Sequence, residues 1–363
     1  TLSLEGSWVY SAGKNSELTA GTQAFIQYNK NSGERRLIPD ADVSSIALTS
    51  LFEYRKDRLG FECGARFDIF RVITKEFGKS DSSNYFPAIS PVFRSLNGSA
   101  GITFKPADGL LLKANISTGF RAPNLAELTS NGLHEGIFQY ELGNTEFKSE
   151  QSIEADAGLI FENRYFYADV SLYENRINNY IYLGQTNDTI MGYPVFRYFQ
   201  NDARLRGMEA EIIIKPFKWL SLRSTYSSVL GKRNDGENIP LIPADKLTAS
   251  LHFQLNSWKF FSSPYFEVST YTALAKTRLG ENEKGTDPYT LLNAGIGCDL
   301  KFESQLINIT ISCTNLLNKV YFDFMSRIKL LSAEYNGKKF TANNMGRNIV
   351  LAVKIPFNLS YNN

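Results

Sequence analysis

GLLLKANISTGF, residues 109–120, decides the fold class. Leu110, Leu112, Ala114, Ile116 and Phe120 fall on one side of an extended chain, and Lys113, Asn115 and Ser117 fall on the other. A period of two marks a strand whose faces meet different surroundings. The same alternation returns downstream. In residues 245–256, Leu247, Ala249, Leu251, Phe253 and Leu255 alternate with Lys246, Thr248, Ser250, His252, Gln254 and Asn256. In residues 305–314, Ile307, Ile309, Ile311 and Cys313 alternate with Asn308, Thr310, Ser312 and Thr314. The last run places Ile349, Leu351, Val353, Ile355, Phe357, Leu359 and Tyr361 at odd positions throughout. Such runs exceed the roughly 5–6 residues of a soluble strand. They suit segments of about ten residues crossing a bilayer at a tilt.

Working outward gives about fifteen strands, at 2–11, 18–28, 44–54, 59–71, 92–104, 109–120, 150–162, 165–183, 203–214, 219–230, 245–256, 260–273, 288–302, 305–314 and 346–361. Short turns fall around 12–17, 55–58, 105–108, 163–164, 215–218, 257–259 and 303–304. Long connections fall at 29–43, 72–91, 121–149, 184–202, 231–244, 274–287 and 315–345. The two kinds alternate strictly. An up-and-down meander with turns on one side and loops on the other produces that order, whereas a Greek-key sandwich would mix its connections. The expected fold is therefore all-β, an antiparallel up-and-down transmembrane β-barrel. Its final strand descends toward the short-turn side, and an odd strand count makes the first descend too. Single-chain bacterial barrels have an even count, and open sheet edges are untenable in lipid. The expectation is that at least one strand precedes Thr1 and that the chain is processed, truncated or part of a longer protein.

Composition agrees with this picture. The 363 residues carry 39 basic and 37 acidic side chains, a balance that argues against a nucleic-acid partner. No apolar run approaches the roughly 18 residues of a membrane helix, so strands would have to do the crossing. The 26 Phe and 19 Tyr include Tyr165, Phe166, Tyr167, Tyr180, Tyr182, Tyr193, Phe196 and Tyr198 flanking strands, as interfacial girdles or as ordinary β-formers. Cys63, Cys298 and Cys313 show no metal spacing. Cross-strand partners in a hairpin share a constant sum, which here sets Cys298 near Ile309 and makes a bridge to Cys313 unfavourable.

Residues 116–150, ISTGFRAPNLAELTSNGLHEGIFQYELGNTEFKSE, form an insert between two strands and hold His134, one of two histidines. Within it, STGFRAPNLAEL (117–128), followed by ELGNTEFKSEQSIEADAGLIF (141–161), resembles the C-terminal barrel of TonB-dependent outer-membrane receptors, their Bacteroidetes-like members included. The first piece is similar to their Phe-Arg-Ala-Pro box. The second is similar to their Asn-Pro-Asn-Leu-Lys-Pro-Glu box, with Thr145 and Ser149 where prolines stand. RLRGMEAEI (204–212), IPLIPADKLTASL (239–251), TNLLNKVY (314–321) and GRNIVLAVKIPF (346–357) follow in family order. One departure is the tail, where Asn362 and Asn363 follow Tyr361 although the family usually ends on an aromatic residue.

The resemblance implies a barrel of about 22 strands occluded by an N-terminal plug domain. Residues 1–363 would be its C-terminal part, with the plug and the first strands absent from this chain. It further implies an outer-membrane location with a periplasmic C-terminus. The implied activity is active import of a scarce solute such as a ferric siderophore, haem or cobalamin. Energy would come through the TonB–ExbB–ExbD complex, and the remaining partners would be outer-membrane lipid, the plug itself and a surface lipoprotein. In haem-importing members a histidine lies between the two boxes, where His134 stands here. A neutral imidazole is a good axial haem ligand, and a Tyr140 phenolate is a candidate second one. The alternative is that His134 is an ordinary loop hydrogen-bonder. For a siderophore or cobalamin, Arg121, Asn124, Glu127 and Tyr140 are the candidate contacts. Arg121 and Glu127 have a second reading, in which they pair with each other or the loop backbone and shape the loop. Zinc import remains an option, although His134 and His252 are the only histidines and no acidic-histidine cluster accompanies them. No catalytic constellation, resident metal or cofactor is expected, since neither Gly-x-Ser-x-Gly nor a phosphate-cradling loop occurs. Two other classes stay open: an outer-membrane structural or adhesion barrel without transport, and a soluble β-rich carbohydrate-binding protein. The latter would need polar outer faces.

Overall fold

The computed structural model describes residues 1–33, 35–80, 85–302, 305–329, 332–335 and 338–356. The chain begins with β1 Leu2–Ser11, β2 Ser16–Asn29, β3 Ala41–Lys56, β4 Leu59–Thr74, β5 Val92–Ala107 and β6 Leu110–Arg121. The connection after β6 holds a short helix, α1 Leu125–Thr129, and two short strands, β7 Asn131–His134 and β8 Gln139–Leu142. Long strands resume as β9 Glu150–Glu162, β10 Phe166–Ile190, β11 Tyr193–Phe217, β12 Leu220–Arg233, β13 Lys246–Gln254, β14 Phe261–Ala273, β15 Tyr289–Phe302 and β16 Gln305–Thr314. A detached hairpin, β17 Ser332–Tyr335 with β18 Lys338–Thr341, precedes β19 Asn348–Lys354.

Leaving out the four short hairpin strands, the wall has, among the described residues, the fifteen strands that the alternation predicts. Each is antiparallel to the next, and β6 reaches past its insert to pair with β9 from Leu110↔Phe161 to Arg121↔Glu150. The series continues through β19, which pairs with β16. Cys298 stands opposite Ile309 and Cys313 opposite Ala294, and all three thiols are free.

The two faces separate as expected. Leu112, Ile116, Leu159, Leu172, Ile212, Leu247, Leu251 and Ile296 are exposed on the outer face. Lys113, Asn115 and Asp156 lie on the inner face, where the Asn115 amide donates to Asp156 at 3.0 Å. An apolar exterior of this extent suits contact with lipid rather than water. The buried side chains gather elsewhere, at the rim that carries the long connections. One cluster joins Val72, Leu128, Phe147 and Ile181, a second Ala203, Ile239 and Ile242, and a third Ala273, Tyr289 and Leu291.

One expectation changes. The stretch 184–202 is not a loop, because β10 and β11 run 25 residues each to a tight turn at Met191 and Gly192. Both turn residues have positive φ (52° and 81°), the backbone that a two-residue hairpin turn requires. Bulges between Ile177 and Tyr180 and between Gln185 and Thr189 shift the register twice, which breaks the period-two pattern in the sequence. The last strand is described from Asn348 to Lys354; Phe357, Leu359, Tyr361, Asn362 and Asn363 lie outside the described residues, as does the turn 303–304.

Candidate functional site

The insert between β6 and β9 is anchored by its first and last residues. Arg121 ends β6, and its register partner Glu150 begins β9. The Arg121 Nε donates to Glu150 Oε2 at 2.8 Å, and a terminal nitrogen donates to Glu150 Oε1. The other terminal nitrogen reaches both oxygens of Glu127, at 2.9 and 2.8 Å. Glu150 Oε1 also accepts the Ile181 amide at 2.7 Å, tying the insert to the β10–β11 extension. Glu127 and Glu150 are buried, and this one guanidinium faces both of their charges. Burial pushes the Arg121 guanidinium down, but its hydrogen bonds to Glu150 and Glu127 outweigh that and hold its pKa above the ordinary value.

Glu127 has a second task. Asn124 caps α1 by accepting the Glu127 amide at 2.9 Å, and Glu127 Oε2 accepts the Asn124 amide at 2.8 Å. This reciprocal capping box satisfies two of the amides that a helix start leaves open. It gives a helix of only five residues a defined N-terminus, and Leu128 then drops into the rim core.

Downstream, β7 and β8 form a hairpin, and β8 runs parallel to β11 at Tyr140↔Val195, Glu141↔Phe196 and Leu142↔Arg197. It occupies the β11 edge that β12 leaves free, since β12 ends against Ala203. Tyr140 is buried and donates to Asn131 Oδ1 at 2.9 Å, and burial raises its pKa. A phenolate at that position is thereby disfavoured. His134 differs from the other candidates. Its side chain is 45% exposed, and its Nδ1 lies 2.9 Å from Oε1 of the buried Glu141. The Gln139 side-chain Nε2 also donates to that oxygen, at 2.7 Å. The Tyr198 hydroxyl, pushed up to about 12 by burial and by the Glu141 and Glu127 charges, stays protonated beside them.

Of the five candidate residues, Arg121, Asn124 and Glu127 converge in one bonded cluster, Tyr140 stands apart in the β7–β8 hairpin, and His134 sits on the accessible surface. Glu150 and Glu141, which the sequence reading does not single out, hold the cluster and the histidine. For Glu150 the only cue was its place at the head of the strand that follows the insert, and its pairing with Arg121 needed the register. For Glu141 there was none, because the contact depends on the β7–β8 turn. Among the described residues there is no group of three His, Cys, Asp or Glu side chains suited to a metal ion.

Comparison with known proteins supplies the context. The chain is 25% identical over 260 residues to a hemin receptor of Yersinia enterocolitica, covering 64% of this chain and 36% of that protein. It is 21% identical over 276 residues to the ferrienterobactin receptor of Escherichia coli K12, covering 70% and 34%. Among solved structures, the copper transporter OprC superimposes with a TM-score of 0.76 at 14% identity, covering 97% of this chain and 56% of that one. An FrpB iron transporter of Neisseria meningitidis gives 0.68 at 14%, covering 96% and 53%; at such identities the likeness concerns the fold. The chain thus spans about a third of the curated relatives and about half of these structures. The model of the TonB dependent receptor-like β-barrel matches residues 1–316, and the chain belongs to that family.

Proposed function

We propose that the chain is the C-terminal part of an outer-membrane receptor that imports a scarce, iron-bearing solute through a TonB-energised barrel. The observation that carries this reading is the wall, apolar outside and polar inside, with all its packed connections at one rim. That rim is the extracellular one in this proposal, and the C-terminus lies in the periplasm. An N-terminal plug would fill the polar interior, and its coupling to the inner-membrane TonB complex would drive release. Relatives named for hemin and for ferrienterobactin define the cargo classes to be compared.

Within that range, His134 favours haem. When its Nδ1–H donates to Glu141, the lone pair rests on Nε2, as in a histidine oriented for an axial bond to iron. Arg121, Asn124 and Glu127 then serve as the frame that holds the loop, while the β7–β8 hairpin presents the ring. The test is growth of a deletion strain complemented with the full-length gene on haem, ferric siderophore, cobalamin or zinc as the limiting source. Haem-dependent growth that His134→Ala reduces supports the proposal. Growth on another source alone moves the cargo, and no dependence on any source would leave a structural or adhesion barrel.

A further inference from the structure

On the outer face, the apolar band stops at a cluster of cations. Leu172 and Met208 are exposed register partners on β10 and β11. The next residues on the same face are Glu174 opposite Arg206, and then Arg176 opposite Arg204. On β12, Lys232 stands opposite Arg204 and Leu230 opposite Arg206. Alternate residues of a strand share a face, and register partners share it too. Arg176, Arg204, Arg206 and Lys232 therefore all point outward, away from the barrel interior. One carboxylate serves three of them: Glu174 receives Arg176 Nε at 3.0 Å, Arg204 at 2.5 Å and Arg206 Nε at 2.8 Å. Two residues beyond Arg204, Asp202 is engaged by the Asn179 amide at 2.9 Å and by Asn234 at 3.3 Å. Three of the four outward cations thus share one carboxylate, and the Arg204 Nε–H is enclosed without a hydrogen-bond partner among the described residues.

The cluster opens into a cavity of about 220 Å³, the space of roughly seven waters. β12 pairs with β13 only from Leu220 to Ser227, so the upper part of β12 is left to line it. Arg204, Arg206, Lys232, Lys276 and Arg278 supply five cations to its lining, and no carboxylate among the described residues does. The height of the site identifies its ligand. On the neighbouring strand, Arg176 stands opposite Ile153, an exposed aliphatic side chain, and Glu174 opposite Ala155. The cations thus sit where the adjoining wall is still apolar, at the border of the hydrocarbon and not out in bulk water. The group that occupies such a border and carries concentrated negative charge is the phosphate of a lipid headgroup. Arginine forks match its oxygens, and the low dielectric there strengthens the contact.

We infer that the outer wall of β10–β12 binds the phosphorylated headgroup of a lipid in the outward-facing leaflet, with Arg204, Arg206 and Lys232 as its ligands. This rests on the reading of the apolar face as membrane-embedded. The test uses the full-length protein in phosphatidylcholine nanodiscs and a fluorescent diphosphoryl lipid A, its dephosphorylated form, or inorganic phosphate as probe. The phosphorylated lipid should bind, and the combined R204Q/R206Q change should weaken it about tenfold or more, as expected for the loss of two charged contacts. Lys232→Gln should weaken it less. Glu174→Gln should tighten it, because it frees three guanidiniums, whereas a merely structural cluster would be harmed by either change. The lumenal Arg223→Gln, which removes a partner of Glu211, should leave binding unchanged. Equal binding by R204Q/R206Q and the unaltered protein, weakening by Glu174→Gln, or equal affinity for inorganic phosphate would each overturn the inference. A protein that fails to enter nanodiscs would overturn the membrane reading itself, a result separate from one that enters and does not discriminate.

Discussion

Among the described residues Arg121 is the one cation bonded to both buried carboxylates, so its loss is not repaired by water. Removing one partner of a buried charge network costs about 3–5 kcal/mol, and the partial exposure of Arg121 brings the expected cost nearer about 2–3 kcal/mol. Arg121→Gln should therefore loosen residues 122–149, read as faster exchange of the amides of α1. Arg121→Lys should recover little of this, because a point charge cannot fork to two carboxylates. Glu127→Gln should be milder, since glutamine can still close the capping box. Asp40 gives the pH-dependent counterpart. It accepts the Asn31 amide at 2.8 Å, the Asn31 side chain at 3.0 Å and Arg36 at 3.3 Å. The Asn31 hydrogen bonds, helped by the Arg36 charge, hold its carboxyl below the ordinary value of 3.8. A depressed carboxylate contributes stability that is complete above its unfolded pKa and lost as pH falls through the lower folded one. The loop 30–40 supports β7 through the Asn131 amide, which donates to Leu37 O at 3.0 Å. Protection of that amide against exchange should thus be flat above the carboxylate range and fall only below pH 3.8, with Asp40→Asn removing the acid step.

At the scale of elements, the insert is packed backbone against backbone. A Cβ on Gly143 would come within 2.7–2.8 Å of Thr129 N, Glu127 O and Ser130 N, none of which is a flexible side-chain end. Gly143→Ala should therefore push β8 away from the end of α1, at a cost of about 1–3 kcal/mol. The expected readout is protease cleavage in residues 130–145 with the wall still folded. The same region shows what sequence conveys and what it withholds. Period two is a property of each strand alone, so the wall strands were legible, several to the residue, as with 150–162 and 305–314. The β10–β11 extension was not, because its two bulges change which residues share a face partway along. β7 is held by Leu37 and Tyr85, β8 by Val195, and α1 by the buried cluster in which Leu128 meets Ile181, all distant in the chain. No local pattern encodes those. In the candidate site, the pairing of Arg121 with Glu127 was among the readings available. The deciding role of Glu150 required the register.

For the whole molecule, the decisive property is that neighbouring residues of one strand live in different solvents. Ala114 is exposed on the outer face of β6, between Leu112 and Ile116 and level with Ala157 of β9. Asn115, next in the chain, faces inward and bonds to Asp156. An arginine at the mid-depth of the lipid face of such a barrel costs about 2–4 kcal/mol, whereas an inward one beside a carboxylate is well placed. Ala114→Arg should lower the unfolding free energy in phospholipid vesicles by that amount, followed by tryptophan fluorescence against urea, while Asn115→Arg should change it by less than about 1 kcal/mol. The comparison controls for size and charge, since both variants add one arginine to the same strand. Equal costs at the two sites would mean that both faces meet water, and the outer apolar band would then need a protein partner in place of lipid. The asymmetry is the property on which the membrane reading of the wall, and with it the lipid site on β10–β12, depends.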